Sequence, residues 1–331
     1  MSQTVLVTGG TGFVGGWAIV EALRQGWAVR TTVRNLGREA GLRAAIGGEI
    51  DPGDRLQVVA ADLNADAGWA EAMAGCAYVL HIASPMGDAG DDQTLISTAR
   101  DGALRVLRAA VDAGVKRVVM TSSTAACTPA KPLERAITED DWTDPDQPDL
   151  SGYRRSKVLA ERAAWDLMRG QATDLTTILP GAIFGPVLHR EQLGSVGIIK
   201  RLLEGQPPAL PRLGFNITDV RDLAALHVRA MTEPDAAGQR FIALGEALWY
   251  GDVAAALKDR LGAAAAKVTT AAMPDLVARG LAVASPQMKA LLPLLGRTQK
   301  FSHEKASRIL GYDPRPARDT VADCGASLLG A

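Results

Sequence analysis

Cysteine and histidine are scarce in this chain. Three cysteines, Cys76, Cys127 and Cys324, stand far apart in 331 residues. Their odd number and wide spacing fit neither a disulfide framework nor a zinc site, so a reducing compartment is expected. The four histidines, His81, His189, His227 and His303, are equally scattered and give no ligand pair at metal spacing. No metal is expected, and each histidine is assigned a structural role. An excess of one charge is missing too: 36 Lys and Arg nearly cancel 37 Asp and Glu, leaving a formal charge of -1. Without a basic stripe, capture of nucleic acid or of an anionic membrane has no electrostatic support. No apolar run approaches the length of a membrane span, and after Met1-Ser2-Gln3 an apolar strand begins at once, with no room for a signal peptide. The expected location is the cytoplasm. Repeats and low-complexity linkers are also absent.

What is present is an enzyme-like balance, 47% hydrophobic and 22% charged, in a chain long enough for a large core. Its length suits one big α/β domain with an appended lobe or two modest domains. Short β-branched runs at 4–7, 29–33, 56–60, 78–82, 117–120 and 175–179 alternate with stretches of helical period at 15–25, 66–74, 95–113 and 153–169. Such alternation predicts βαβ units forming a doubly wound parallel sheet covered on both faces. Residues 128–150, rich in Pro, Asp and Glu, predict a surface loop, with Asp149 or Ser151 capping the helix that follows. Beyond Pro180 the alternation stops. Gly- and Pro-punctuated segments, an amphipathic stretch at 198–204 and a strand-like piece at 240–244 predict a smaller lobe. The apolar segment 274–295 reads as a buried helix or as a lid over an oily pocket, core packing being the favoured reading.

Directly after the first strand comes Thr8-Gly9-Gly10-Thr11-Gly12-Phe13-Val14-Gly15, followed by a helix. Glycines let a backbone turn sharply and approach phosphates closely, while helix N–H groups and the helix dipole favour their charge. A dinucleotide pyrophosphate belongs there, and the flanking strand and helix give the GxxGxxG spacing its weight. The second strand ends in Arg34-Asn35 rather than in an acid. An acid would accept the ribose 2'-hydroxyl of NAD, whereas a guanidinium can hold the 2'-phosphate in a bidentate fork. NADP(H) is therefore the expected cofactor, with Arg34 as the main contact and Arg38 or Arg43 as helpers. Asp62 and Leu63, after the third strand, are placed at the adenine edge, and Ile82, Ala83 and Ser84, after the fourth, beside the crevice. Ligands of open parallel sheets bind at such strand ends.

The fifth strand ends in Thr121-Ser122-Ser123, and Tyr153 precedes Lys157 by one helical turn. Hydroxyl, phenol and ammonium can converge on a carbonyl. Ser123 would hydrogen-bond the carbonyl oxygen and Tyr153 would protonate it as hydride arrives from the nicotinamide. A lysine cation close to a phenol favours the phenolate, and the same ammonium can reach the nicotinamide ribose.

Together these segments resemble the extended short-chain dehydrogenases/reductases, in the branch that holds dihydroflavonol and cinnamoyl-CoA reductases. The resemblance rests on TGGTGFVG, VRTTVRN, HIASPM at 81–86, VVMTSS at 118–123, YRRSK at 153–157 and LPGAIFGP at 179–186, all in family order. It implies a Rossmann-like NADP domain over 1–180, to which 215–245 partly returns, and a C-terminal α/β substrate lobe over 181–331. It also implies Ser123, Tyr153 and Lys157 as the catalytic triad, cofactor contacts from Thr121, and nicotinamide-side contacts from Pro180, Ile183 and Ser195. Ser84 and Met86 stand as candidate substrate contacts. In plant dihydroflavonol reductases an asparagine and a glutamine help bind the flavonoid. Thr128 and Asn216 stand at those positions here, so no specific flavonoid is implied. The expected activity is NADPH-dependent reduction of a hydrophobic or aromatic ketone or aldehyde by a monomer or homodimer. A 3β-hydroxysteroid dehydrogenase, a nucleotide-sugar epimerase and a non-catalytic NADP sensor are the competing readings.

Overall fold

The computed structural model describes residues 3–85, 91–148, 150–189, 194–283 and 285–330. The β-branched runs form β1 (Thr4–Thr8), β2 (Ala28–Val33), β3 (Leu56–Ala60), β4 (Cys76–His81), β5 (Arg117–Thr121), β6 (Asp174–Pro180), β7 (Ala182–Phe184), β8 (Gly214–Asp219), β9 (Arg240–Ala243) and β10 (Ala247–Trp249). Seven of them make one sheet in the order β3-β2-β1-β4-β5-β6-β9, with every neighbouring pair parallel. The strand order reverses between β1 and β4, and there a crevice opens at the carboxyl edge.

Helices α1 (Phe13–Arg24), α2 (Glu39–Gly47), α3 (Trp69–Met73), α4 (Asp92–Asp112) and α5 (Gly152–Met168) serve the first half. Beyond them lie α6 (Val196–Leu203), α7 (Val220–Thr232), α8 (Tyr250–Leu261), α9 (Asp275–Leu281), α10 (Pro286–Leu291), α11 (Glu304–Leu310) and α12 (Ala317–Gly330). On β1, Val5 and Val7 enter a core shared with α1, α2, α7 and α11, while Leu6 enters the opposite core under α3, α4 and α5. A strand buried on both faces must be apolar at odd and even positions alike, and this one is. The doubly wound α/β expectation therefore holds.

A second sheet, β10-β8-β7, has a core of its own with α6, α8 and α12. Two expectations need correction. The 128–150 segment is not merely a surface loop: Thr128, Ile137, Glu139, Thr143 and Leu150 are buried, because its backbone carbonyls and Thr143 satisfy polar groups of the core. The 274–295 segment is not simply buried helix either. Ala278 is buried, but Leu276 is 81% and Val283 91% exposed. Two short helices, α9 and α10, replace one long one, so only one flank reaches the core of Leu213 and Leu295. Asp149 lies outside the described residues, and the α5 cap is Ser151, whose Oγ accepts the Arg154 N–H.

Candidate active site at the carboxyl edge of the sheet

The glycine loop closes the turn from β1 to α1, with the Gly12 N–H donating to the Gly9 carbonyl at 2.9 Å. A Cβ on Gly15 would lie 2.2 Å from the Gly9 oxygen, and one on Gly9, at φ +74°, would press on the Ala83 backbone at 3.0 Å. Loop, helix and β4 end thus pack too closely for side chains. Gly12 offers no side-chain cap to α1, and the first turn, which includes Phe13, Val14 and Gly15, carries no acid. Those first N–H groups suit an anion. Thr11 lies in the same turn, half-buried.

Thr8 ties the two strands at the switch point. Its Oγ1 accepts the N–H groups of Ile82 and Ala83, each at 3.0 Å, which leaves its hydrogen for His81 Nδ1 at 3.0 Å. Arg34 is exposed at the end of β2, with no hydrogen bond or ion pair to any described residue. Arg38 is exposed in the turn after it. Arg43 is engaged within the protein: its guanidinium pairs with Glu39 at 2.8 Å and donates to the Leu56 carbonyl at 2.6 Å, which fixes α2 to β3. Asp62 shapes its own turn, with Oδ1 accepting the Asn64 N–H at 2.9 Å, and Leu63 is half-buried beside it. A loop of this shape, an uncapped helix start and an unpaired strand-end guanidinium fit a dinucleotide with a 2'-phosphate.

Of the three catalytic candidates, Tyr153 and Lys157 share one face of α5 and Ser123 follows the end of β5. Ser123 is nearly buried, and its Oγ accepts the Ala125 N–H at 3.1 Å while its own hydrogen meets no described acceptor. The Tyr153 hydroxyl is likewise without a described partner, and the residue is 40% exposed. Lys157 is only 8% exposed, so its ammonium is held out of bulk water. It lies 5.7 Å from the Tyr153 ring centre and donates to Ser84 Oγ at 2.9 Å.

Other predicted contacts are placed less directly. The Thr121 hydroxyl engages His227 Nε2 at 2.7 Å, and Ser195 donates to the Ile183 carbonyl. Both hydroxyls make hydrogen bonds within the protein, while Thr121 also lines a small pocket with Ala83, Ser84 and Lys157. Pro180 closes β6 and Ile183 lies in β7, so both flank the far wall. Thr128 is buried with its hydroxyl on the Thr124 carbonyl at 2.7 Å, which leaves it no hydrogen to donate to a substrate. Asn216 is half-buried in β8. Met86 lies outside the described residues.

Sequence reasoning missed the buried base of the site. Glu161, one turn beyond Lys157, is fully buried. Its carboxylate accepts from Ser122 Oγ at 2.6 Å, Thr177 Oγ1 at 2.7 Å and Arg240 Nε at 2.8 Å. Helical spacing from Tyr153 and Lys157 was the one available signal. This cluster locks α5 onto β5, β6 and β9 next to Ser123.

His81 and His227 are also buried, and burial pushes both imidazoles down to about 4, the Lys157 ammonium adding to the effect at His81. In the unfolded chain they take up protons near pH ~6.5, whereas in the fold they stay neutral until about 4. Stability is thus full above about 6.5 and falls as the pH drops below it. The loss is on the order of 2 kcal/mol per ring at pH ~5. Urea midpoints at pH ~7.5 and pH ~5 test this, and an unchanged midpoint contradicts it.

A doubly wound sheet with a glycine loop at its switch point, Ser123 just past β5, and Tyr153 and Lys157 one turn apart on α5 define a Rossmann-type, extended short-chain dehydrogenase/reductase. The chain belongs to the NAD dependent epimerase/dehydratase family, whose model matches residues 5–245. It is 34% identical over 257 residues to "Cinnamoyl-CoA reductase 1" of Petunia hybrida, covering 76% of this chain and 75% of that one. To "Dihydroflavonol 4-reductase" of Zea mays it is 32% identical over 269 residues, covering 78% and 74%. Among solved structures it resembles Gre2 of Candida albicans in complex with NADPH, with a TM-score of 0.82 and 25% identity over 99% of each chain. Among the described residues no helix is long and apolar enough to cross a membrane, and no cluster of His, Cys, Asp and Glu could hold a metal.

Proposed function

We propose that this protein is an NADPH-dependent reductase that converts a ketone or aldehyde to an alcohol, with Tyr153 as the general acid. What carries the reading is Tyr153, whose hydroxyl has no described partner, on the same face of α5 as the buried Lys157 ammonium 5.7 Å from its ring, with Ser123 and its unused hydrogen just past β5. That group stands on the edge where the glycine loop opens. The reductase names of its relatives and the NADPH held by the Candida structure agree with it.

NADPH supplies the hydride. Ser123 donates to the carbonyl oxygen and fixes the face presented for reduction. Tyr153, reaching the same oxygen, gives up its proton as negative charge develops there. Lys157 holds its positive charge close to the phenol, while Ser84 keeps the ammonium in place. Glycine loop and α1 hold the pyrophosphate, and Arg34 takes the 2'-phosphate.

Residues 1–180 form the NADP domain, with 215–245 partly returning to it, and 181–331 form mainly the substrate lobe. Support comes from the separate core of the second sheet, where Phe215 meets Phe184 and Tyr250 edge-on at 6.5 and 5.4 Å. The exposed apolar side chains of the 274–295 segment, Leu276, Val277 and Leu281 among them, suit a hydrophobic or aromatic substrate.

The test follows NADPH and NADH oxidation with aromatic aldehydes, ketones, α-diketones, dihydroflavonols and steroids. At least one carbonyl class should be reduced, with NADPH favoured in kcat/KM by about tenfold or more. Arg34→Asp should weaken NADPH binding by about 10- to 100-fold, as expected for losing a charge-assisted fork. Equal or better use of NADH by the unaltered protein contradicts the cofactor reading. Binding of NADPH with no carbonyl reduced would point to a sensor instead.

A further inference from the structure

Helix α5 carries three arginines, and two are fully occupied. Arg155 donates to the carbonyls of Pro145 and Gln147 at 2.9 and 3.2 Å. Arg162 donates to the Thr143 carbonyl at 3.2 Å and lies over the Trp142 ring at 5.4 Å. Arg154 differs. It is half-buried, yet the one hydrogen bond of its guanidinium among the described residues is a 3.5 Å contact from Nη2 to the Thr128 carbonyl. That distance is at the limit of a hydrogen bond, and Thr143 Oγ1 already serves the same oxygen at 2.9 Å.

No described carboxylate balances it. Asp141 is taken by Arg135, with both oxygens at 2.7 Å, and Glu161 by Arg240. Burial pulls the Arg154 guanidinium below its ordinary range, though a guanidinium remains a cation at any pH where proteins fold. A cation held away from water without an anion is costly, and such groups are found where a ligand supplies the counter-charge.

Helix periodicity says where that ligand would lie. Positions 154, 158 and 161 run down one side of α5, next to the Tyr153–Lys157 face. At the foot of this line Glu161 meets Ser122, and in its middle Val158 packs on Ala126 and Leu150. At its top Arg154 meets Thr128. The line therefore follows the chain from the end of β5 outwards past Ser123. Arg154, the residue after Tyr153, stands just beyond the place where the carbonyl is held.

We infer that Arg154 is a specificity-determining residue that binds a carboxylate on the substrate, so that the preferred substrates are oxo acids with an apolar body rather than neutral ketones or aldehydes. The inference rests on the carbonyl-reductase reading above. The carboxylate is bound by a two-pronged guanidinium contact while the carbonyl, a few bonds away, meets Ser123 and Tyr153. Arg154 binds and orients, and it exchanges no proton with the substrate.

Matched probes test it: benzoylformate and 3-benzoylpropanoate, each against its methyl ester, with NADPH. Within each pair the reacting ketone is retained while the ester loses the charge, gains a methyl and, next to the carbonyl in benzoylformate, makes the ketone more electrophilic, so the acid-to-ester ratio is compared with that of Arg154→Gln. The acid should be favoured in kcat/KM by about tenfold or more for at least one spacing, mainly through a lower KM, as expected for a charged hydrogen bond. Arg154→Gln should bring the acid-to-ester ratio close to one, and Arg154→Lys should keep part of the preference. Retained NADPH binding by fluorescence shows that each variant is folded. Esters reduced as well as acids at both spacings, or a preference that survives in Arg154→Gln, overturns the inference while leaving the reductase reading intact. If neither acids nor esters nor the wider carbonyl panel are reduced, both fall together.

Discussion

Tyr153→Phe should lower kcat by about a thousandfold, the range expected when a general acid is lost, while the Kd for NADPH stays within about threefold. The reason is geometric. The Tyr153 hydroxyl bonds to no described residue, so removing it disturbs no packing or network of the folded protein. The ring and its place 5.7 Å from the Lys157 ammonium remain. What disappears is the proton available to the carbonyl oxygen. Single-turnover measurements with enzyme-bound NADPH check this directly, since they separate the chemical step from cofactor binding and product release. A Tyr153→Phe protein that reduces its substrate within tenfold of the normal rate would remove Tyr153 from the mechanism and pass the acid role to a water or to Ser123.

Glu161→Ala should have the largest effect on stability, about 3–5 kcal/mol, read as a fall in the urea midpoint. Glu161 is completely buried and closes an ion pair with Arg240, which is itself buried. Deleting the carboxylate strands the guanidinium in the core and leaves Ser122 and Thr177 without their acceptor. Removing one partner of a buried pair costs far more than the pair contributes, because the remaining charge cannot be solvated. The double change Glu161→Leu with Arg240→Met should therefore recover part of the loss. Arg240 also lies over the Trp142 ring at 3.6 Å and donates to the Asp141 carbonyl at 3.0 Å. Breaking the pair should accordingly loosen the 128–150 segment as well, visible as faster amide exchange there. A midpoint unchanged by Glu161→Ala would mean that water reaches Arg240 readily and that the cluster is not a dry core.

The resemblance to reductases left the substrate open, because the names of the relatives cover more than one carbonyl substrate. In the proposed reading the glycine loop, Ser123, Tyr153 and Lys157 serve whichever carbonyl is presented, so specificity comes from residues around them. Thr128 illustrates this: its hydroxyl is turned inward to the Thr124 carbonyl, while Arg154 beside it is left nearly unpaired. A polar substrate contact at the Thr128 position is thereby withdrawn, and a cationic one is offered next to it.

Much of this protein was legible without coordinates. Glycine-rich turns, β-branched runs and a Tyr-to-Lys spacing of four act through local geometry: backbone freedom, strand pleat and helix pitch. Such features placed the parallel sheet, the glycine-rich turn before α1, Arg34 at the end of β2, and Tyr153 and Lys157 on one face of α5. Element boundaries moved by a few residues, as with α4, expected from 95 and found from Asp92. The tertiary structure decided which distant residues meet. Lys157 and Ser84 lie 73 positions apart, Glu161 and Arg240 79, and Thr121 and His227 106. Periodicity shows that Arg154, Val158 and Glu161 share a side of one helix, but not that the side is met in turn by Thr128, Ala126 and Ser122. For the same reason the 128–150 segment read as exposed and the 274–295 segment as buried: composition reports how polar a stretch is, whereas burial depends on which buried charges its backbone must satisfy and which apolar flank finds a partner.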